Sequence, residues 1–268
     1  MHLPIGVSVL ILLSAALHAQ HPLAYVVDAR LASLAGSGAA LSGPSAVWLN
    51  PAGLGEDYDW SYGASVTQLT GISQVKQVTG QVHLRQVAVH LAATRLEKYH
   101  ALRYGLTYAR PIAAGLRIGG SLAVFRQGVA GYPAQAGVVA SLGGQLALSP
   151  VMRIGAYAAV PSDRSAYAYR MGAGLRYAVS GRAAFLLDIR YDGTWGWSTH
   201  YALAYAPGES LTIRLGYDGG AGAFTVGSSY AFGQIAEADV VARYHPLLGG
   251  GGGAGFRRAG SRQDATMR

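Results

Sequence analysis

Arg170-Met171-Gly172-Ala173-Gly174-Leu175-Arg176-Tyr177 is the stretch that decides how the chain folds. Met171, Ala173, Leu175 and Tyr177 alternate with Arg170, Gly172, Gly174 and Arg176. Successive side chains of a β-strand point to opposite faces, so one face here is apolar and phenolic while the other is glycine and guanidinium. A strand of a water-soluble sandwich would show Thr, Ser, Lys and Glu on its outer face. This stretch instead hides its charges on the face that also carries glycine, and leaves the continuous face greasy.

The same partition recurs on both sides of it. Upstream, Leu102, Tyr104, Leu106 and Tyr108 oppose Arg103, Gly105 and Thr107. Leu116, Ile118, Gly120, Leu122 and Val124 oppose Arg117, Gly119 and Ser121, and Met152, Ile154, Ala156 and Ala158 alternate with Arg153 and Gly155. Downstream, Phe185, Leu187, Ile189 and Tyr191 face away from Asp188 and Arg190. Alternation continues through Trp197–Tyr205, Leu211–Tyr217 and Phe224–Tyr230, with turn residues such as Ser149-Pro150, Pro207-Gly208 and Asp218-Gly-Gly between the runs. Between Leu84 and Val87 the apolar phase shifts, which predicts either a bulge or two shorter strands. Repeated alternation over segments of about ten residues, with Tyr and Trp near the segment ends, predicts an all-β chain. The expected architecture is a transmembrane antiparallel barrel of about twelve to fourteen strands over residues 58–246, because hydrocarbon tolerates no open sheet edge.

Composition agrees. Of 268 residues 51% are apolar and only 13% charged, roughly half the charge of an ordinary soluble domain. No apolar run after residue 20 approaches the ~20 residues of a membrane-crossing helix. There is no cysteine, which excludes disulfides and a lipidated N-terminal cysteine. The formal charge of +8 is nearly all arginine, the lysines being Lys76 and Lys98. No basic helix or aromatic-rich RNA motif accompanies it, so nucleic acid is not an expected partner.

Residues 1–19 read as a secretory signal peptide, with an apolar core at Ile5–Leu13 and cleavage after Ala19, or alternatively after Ala16. Residues 20–57 lack strict alternation and read as a compact, partly helical hatch or plug; Asn50 before Pro51 marks a turn. After Tyr244-His-Pro-Leu-Leu-Gly the run Gly249–Gly253 and the arginines 257, 258, 262 and 268 read as a flexible basic tail over residues 247–268.

The ordered segment from Asp28-Ala-Arg-Leu-Ala-Ser-Leu-Ala-Gly-Ser-Gly to Trp48-Leu-Asn50-Pro-Ala-Gly-Leu54 resembles the N-terminal signature of FadL-like outer-membrane proteins, in particular the PorV/PorQ-like branch. The likeness is strongest over residues 28–54. It implies a fourteen-stranded barrel with an N-terminal hatch in its lumen, outer-membrane lipids as surroundings, and either a fatty-acid-like ligand or secreted proteins as partners. No cofactor is expected, and the oligomeric state stays open.

Two groups of site residues follow. Asn50, Pro51, Ala52 and Gly53 are candidate hatch or gating residues, or else simply a turn that caps the plug. Arg103, Arg117, Arg153, Arg170, Arg176, Arg190 and Arg214 share the inward face. They are candidates to bind the carboxylate of a fatty acid or another anionic solute. The alternative is a structural ladder with Asp188, Asp218 and Asp239, or contacts to the hatch. A catalytic role is not expected: no HExxH, GxSxG or Cys/His metal spacing occurs, no serine partner for His200 is evident, and the glycine runs precede no helix. Passage or binding of hydrophobic or anionic small molecules is the leading expectation, with a docking platform for secreted proteins as the second.

Overall fold

The computed structural model describes residues 26–54, 59–68, 76–163, 167–233 and 236–260. The expected signal peptide lies outside them. Fourteen antiparallel strands close into one barrel, each paired with the next and β1 with β14. They are β1 (Trp60–Gln68), β2 (Lys76–Leu84), β3 (Val87–Leu96), β4 (Tyr99–Ala113), β5 (Leu116–Val129), β6 (Gln135–Ala147) and β7 (Met152–Pro161). The second half comprises β8 (Arg170–Ser180), β9 (Ala183–Asp192), β10 (Gly196–Tyr205), β11 (Leu211–Asp218), β12 (Ala223–Phe232), β13 (Ala236–His245) and β14 (Gly249–Ala259).

The parity of the sequence is the parity of the wall. Leu91, Leu106, Leu122, Leu142, Ile189, Leu215, Val226 and Val240 all point outward and exposed, whereas His90, Thr107, Ser141, Asp188, Arg190, Arg214, Thr225 and Asp239 are buried toward the lumen. An exposed apolar surface running right round a chain is not tolerated in water; facing acyl tails it is the expected state. Aromatic side chains gather at both rims. Trp60, Tyr108, Tyr177, Tyr205, Tyr230 and Phe232 lie exposed near the rim where β1 begins and β14 ends, called here the proximal end. Trp197, Phe224 and Tyr244 lie at the opposite, distal rim, which also carries the two longest connections, residues 69–75 and 162–169. Among the described residues no helix is long and apolar enough to cross a membrane, so any crossing is made by strands.

Two expectations are resolved. The phase shift after Leu84 is a turn between two strands, not a bulge: Leu84 pairs with Val87 across Arg85-Gln86, and Arg85 takes a left-handed φ of 52°. A two-residue turn exchanges the parity of the strands it joins, which is the shift seen in the sequence. The expected flexible tail is corrected over most of its length. Gly249–Ala259 is β14, bonded to β13 on one edge and β1 on the other, and it closes the barrel. A strand of glycines has no side-chain alternation to read; what defines it is backbone pairing, which sequence periodicity does not report. The wall therefore extends to residue 259 and not to 246. Residues 261–268 lie outside the described ones.

The lumen is filled by residues 26–54. They form one helical turn, α1 (Ala29–Ser33), then a first 3-10 turn (Pro44–Trp48) and a second (Pro51–Gly53). Asp28 caps α1 by accepting from the Leu31 N–H at 2.8 Å, and it also accepts from the Ser45 hydroxyl, tying the first turn to the helix. Leu31, Leu34, Leu41, Val47, Trp48 and Leu54 are buried with Ala88, Ala92, Ala109, Leu186, Ala202 and Val241 of the wall. The core of this molecule is thus the plug–wall contact.

Candidate functional site

Small wall residues let the plug backbone sit directly on the strands. A methyl group added at Gly119 would meet the carbonyl carbon of Pro51 at 2.5 Å, and one at Gly216 would meet the Ala35 Cβ at 2.8 Å. At Gly143 it would overlap the Asn50 side chain, at Gly155 the Ala39 carbonyl, and at Gly227 the Ser33 Cβ. These glycines occupy inward positions of β5, β6, β7, β11 and β12. Their absent side chains are the seat of the plug.

Polar wall residues then satisfy the backbone groups that burial strands. On β9, Asp188 accepts from the N–H groups of Gly38 (2.8 Å) and Ala39 (3.0 Å). Gln145 of β6 donates to the carbonyls of Leu41 (2.8 Å) and Ala39 (3.1 Å). Further round, Thr225 donates to Ser33 O at 3.1 Å, while Ser65 and Gln77 accept from the N–H groups of Ala29 and Val27. His200 holds the Ala35 carbonyl through Nδ1 at 3.0 Å, with Ser198 Oγ 3.0 Å from its other nitrogen and Asp218 3.4 Å from Nδ1. A serine does therefore accompany His200, a pairing the sequence reading did not find. Both residues are buried, and the carbonyl of the plug occupies the ring nitrogen that a base would need oriented by its acid.

Asn50 is fully buried and joins three segments. Its amide donates to Ala39 O (2.6 Å) and to Gly144 O of β6 (3.2 Å), and its side-chain oxygen accepts from the Ala52 N–H (3.1 Å). Pro51–Gly53 continue as the second 3-10 turn, packed on β4, β5 and β6. The four residues thus cap the turn and also fasten the plug to the wall.

The seven arginines all lie on the lumen side, but they divide into groups. Toward the proximal end, Arg117 donates to Leu54 O at 3.4 Å and Arg153 to the Ser42 hydroxyl, both plug atoms. Arg176 pairs across strands with Arg153 and lies near Arg30 of α1. Arg214 meets Asp239 (3.2 Å) and Glu237 (3.5 Å) below α1. Arg170 pairs with Asp192 at 3.0 Å, and Arg190 with Asp188 at 3.1 Å while also donating to Gly36 O. With Asp218–Arg243 (2.9 Å) and Arg257–Glu237 (2.7 Å), these pairs make an ionic belt over β8–β14. Glu237 and Arg243 went unremarked in the sequence, where inward parity on β13 was the available signal, and Arg257, expected in a flexible basic tail, is instead an inward residue of β14.

Arg103, Arg170 and Arg190 are the three that meet at a cavity on the distal side of the plug. Val26, Val27, Leu31, Val47, Trp48 and Leu49 form its apolar floor, and Ser121, Tyr157 and Tyr167 complete its wall. Arg103 and Arg170 both donate to the Tyr167 hydroxyl, at 3.3 and 2.9 Å. Three of the lining residues carry a buried donor, Arg103 Nε, Trp48 Nε1 and Ser121 Oγ, that has no hydrogen-bond partner among the described residues. The cavity measures about 30 Å³, room for about two waters and well short of the ~150 Å³ that accepts benzene. This cavity, as it stands, has no room for a guest of that size.

No family model matches the chain, and no curated protein matches it. Solved structures do resemble it. The CymD monoaromatic hydrocarbon channel superimposes with a TM-score of 0.64 at 13% identity, covering 90% of this chain and 99% of that one. The Pseudomonas putida toluene transporter TodX gives 0.62 at 12% identity, over 87% and 96%. Acinetobacter baumannii outer membrane protein Omp33 gives 0.53 at 9% identity, over 77% and 100%. The fold is that of outer-membrane β-barrels. At such identities the likeness carries the fold alone.

Proposed function

We propose that this chain is an outer-membrane channel of the FadL-like kind, closed at rest by residues 26–54, which admits small amphiphiles through the distal vestibule. The observation that carries this reading is the vestibule's chemistry. The plug's apolar floor shares the cavity lining with Arg103, Arg170 and Arg190, and Arg103 Nε, Trp48 Nε1 and Ser121 Oγ of the lining residues have no partner among the described residues. Buried donors without acceptors are costly, by ~1–3 kcal/mol each, so the site favours a guest that brings acceptor oxygens. A hydrophobic body with one carboxylate or similar group satisfies both halves at once. The hydrocarbon channels that share the fold support the hydrophobic half of that description.

Entry requires the floor to move, since about 30 Å³ holds no such guest. Val27, Leu31, Val47 and Trp48 belong to the plug, so a ligand pressing on the vestibule acts on the segment that blocks the pore. Asn50–Gly53, fastened to β6, would serve as the hinge. The PorV/PorQ-like resemblance over residues 28–54 fits the same placement of the plug. A catalytic reading is disfavoured because Ser198 and His200 are closed off by Ala35.

Uptake of a radiolabelled long-chain carboxylate into cells tests the proposal. Expression of the protein should raise the rate, Arg103→Ala should lower it several-fold, and an uncharged alkane of equal length should respond much less to that substitution. Uptake unchanged by removing the protein would refute the transport reading.

A further inference from the structure

The lipid-facing wall differs from one side of its distal rim to the other. On β9 to β13 the rim is aromatic, with Tyr191, Trp197, Tyr217, Phe224 and Tyr244. On β2 to β5 the same level is basic, with Lys76, Arg95, His100 and Arg126, all exposed.

Their outward direction follows from parity. Lys76 is in phase with Val78 and Val82, Arg95 with Val89 and Leu91, and Arg126 with Ile118 and Leu122. Pairing places them side by side: Lys76 opposite Arg95, Arg95 opposite His100, and Arg126 opposite Leu102, just below. Neighbouring strands lie about 4.8 Å apart, so the row on β2, β3 and β4 spans roughly 10 Å. Lys98 adds a further cation in the turn above. Among the described residues none of Lys76, Arg95, Lys98 or Arg126 forms an ion pair. Glu97 is the acid beside them in that turn.

Cations crowded at one level repel one another unless an anion sits among them, and this level is where a bilayer presents its headgroups. We infer that the Lys76–Arg95–Arg126 row binds the phosphate groups of an anionic lipid in the leaflet at the distal end. Its acyl chains would lie along Val89, Leu91, Leu102 and Leu106 below, while guanidinium groups take phosphate oxygens in pairs. The aromatic half of the rim carries no such preference and suits any headgroup. The inference rests on the membrane-barrel reading, with the distal, longer-loop end at the outer surface.

The test uses full-length protein purified in detergent and measures retention of lipid A by native mass spectrometry. The triple variant Lys76→Ala, Arg95→Ala, Arg126→Ala should bind lipid A at least about tenfold more weakly, on the scale expected for three interfacial cations. Binding should return in Lys76→Arg, Arg95→Lys, Arg126→Lys, and should persist in the proximal-rim control Arg110→Ala, Arg258→Ala. Heat-modified gel mobility checks that each variant is folded. Equal retention by the triple variant overturns the proposal, as does equal affinity for dephosphorylated lipid A. Displacement of the lipid by millimolar inorganic phosphate would mean an ion site instead, and would also overturn it. Density-gradient fractionation separately reads the location: recovery away from the outer membrane would remove the placement on which the inference rests, whereas the lipid assay on purified protein reads the row itself.

Discussion

At the scale of single residues, closure depends on what Asn50 and a few glycines permit. Asn50 is fully buried and makes three hydrogen bonds, to Ala39 O, Gly144 O and the Ala52 N–H. Asn50→Ala leaves the buried Ala52 N–H without its acceptor and removes one of the two donors to Ala39 O, which should destabilise the closed form by ~1–3 kcal/mol. The expected outcome is a lower thermal transition together with frequent channel openings in a planar bilayer. Gly143→Val acts from the other side of the same contact, because its side chain would occupy the space of the Asn50 amide. That variant should still show the heat-modified shift of a folded barrel yet conduct more often than the parent. A Gly143→Val protein as silent as the parent would mean the plug does not rest on β6. Asn50 was legible in the sequence as a turn cap beside Pro51, but its bond to Gly144 O joins residues 94 positions apart, and no local pattern reports such a contact.

Among elements, the strands were legible wherever side chains alternate and illegible where they do not. The runs in β4, β5 and β7 to β12 fall on the sides that period two assigns, including all seven lumen arginines. The vestibule was half legible: parity put Arg103, Arg170 and Arg190 in the lumen, but their meeting above Trp48 depends on how residues 26–54 fold back. β14 escaped because Gly249–Gly253 offers no side chain on either face. Its edges carry the closure of the barrel, so ending the chain after Leu248 should abolish the heat-modified band altogether. The ionic belt is a second property of elements rather than residues. Asp239 sits between Arg214 (3.2 Å) and Arg257 (3.4 Å), and all three side chains are largely buried. Asp239→Asn keeps the shape but leaves two guanidinium groups short of a counter-charge. A loss on the order of 3–5 kcal/mol is expected for breaking such a pair, read as a lower temperature for conversion of the folded band. Replacing Asp239 and Arg214 together by Asn and Met should restore part of that loss, because the desolvated charge goes with its partner.

For the whole molecule, the wall and the plug divide the labour. The wall solves the membrane problem, with apolar side chains outside and every strand edge paired. The plug fills the lumen, where polar contacts from at least six strands hold it, through Ser65, Gln77, Gln145, Asp188, His200 and Thr225. Many modest bonds around a ring can be released on one side while the other holds, which is what the proposed opening would require. The measurement that bears most directly on this account is single-channel conductance of the full-length protein against a variant lacking residues 26–54, both shown to be folded barrels by gel mobility. The full-length protein should be closed for most of the record, and the deletion should produce a steady, large, water-filled conductance. A full-length protein that conducts continuously, or a deletion that stays as closed as its parent, would contradict it.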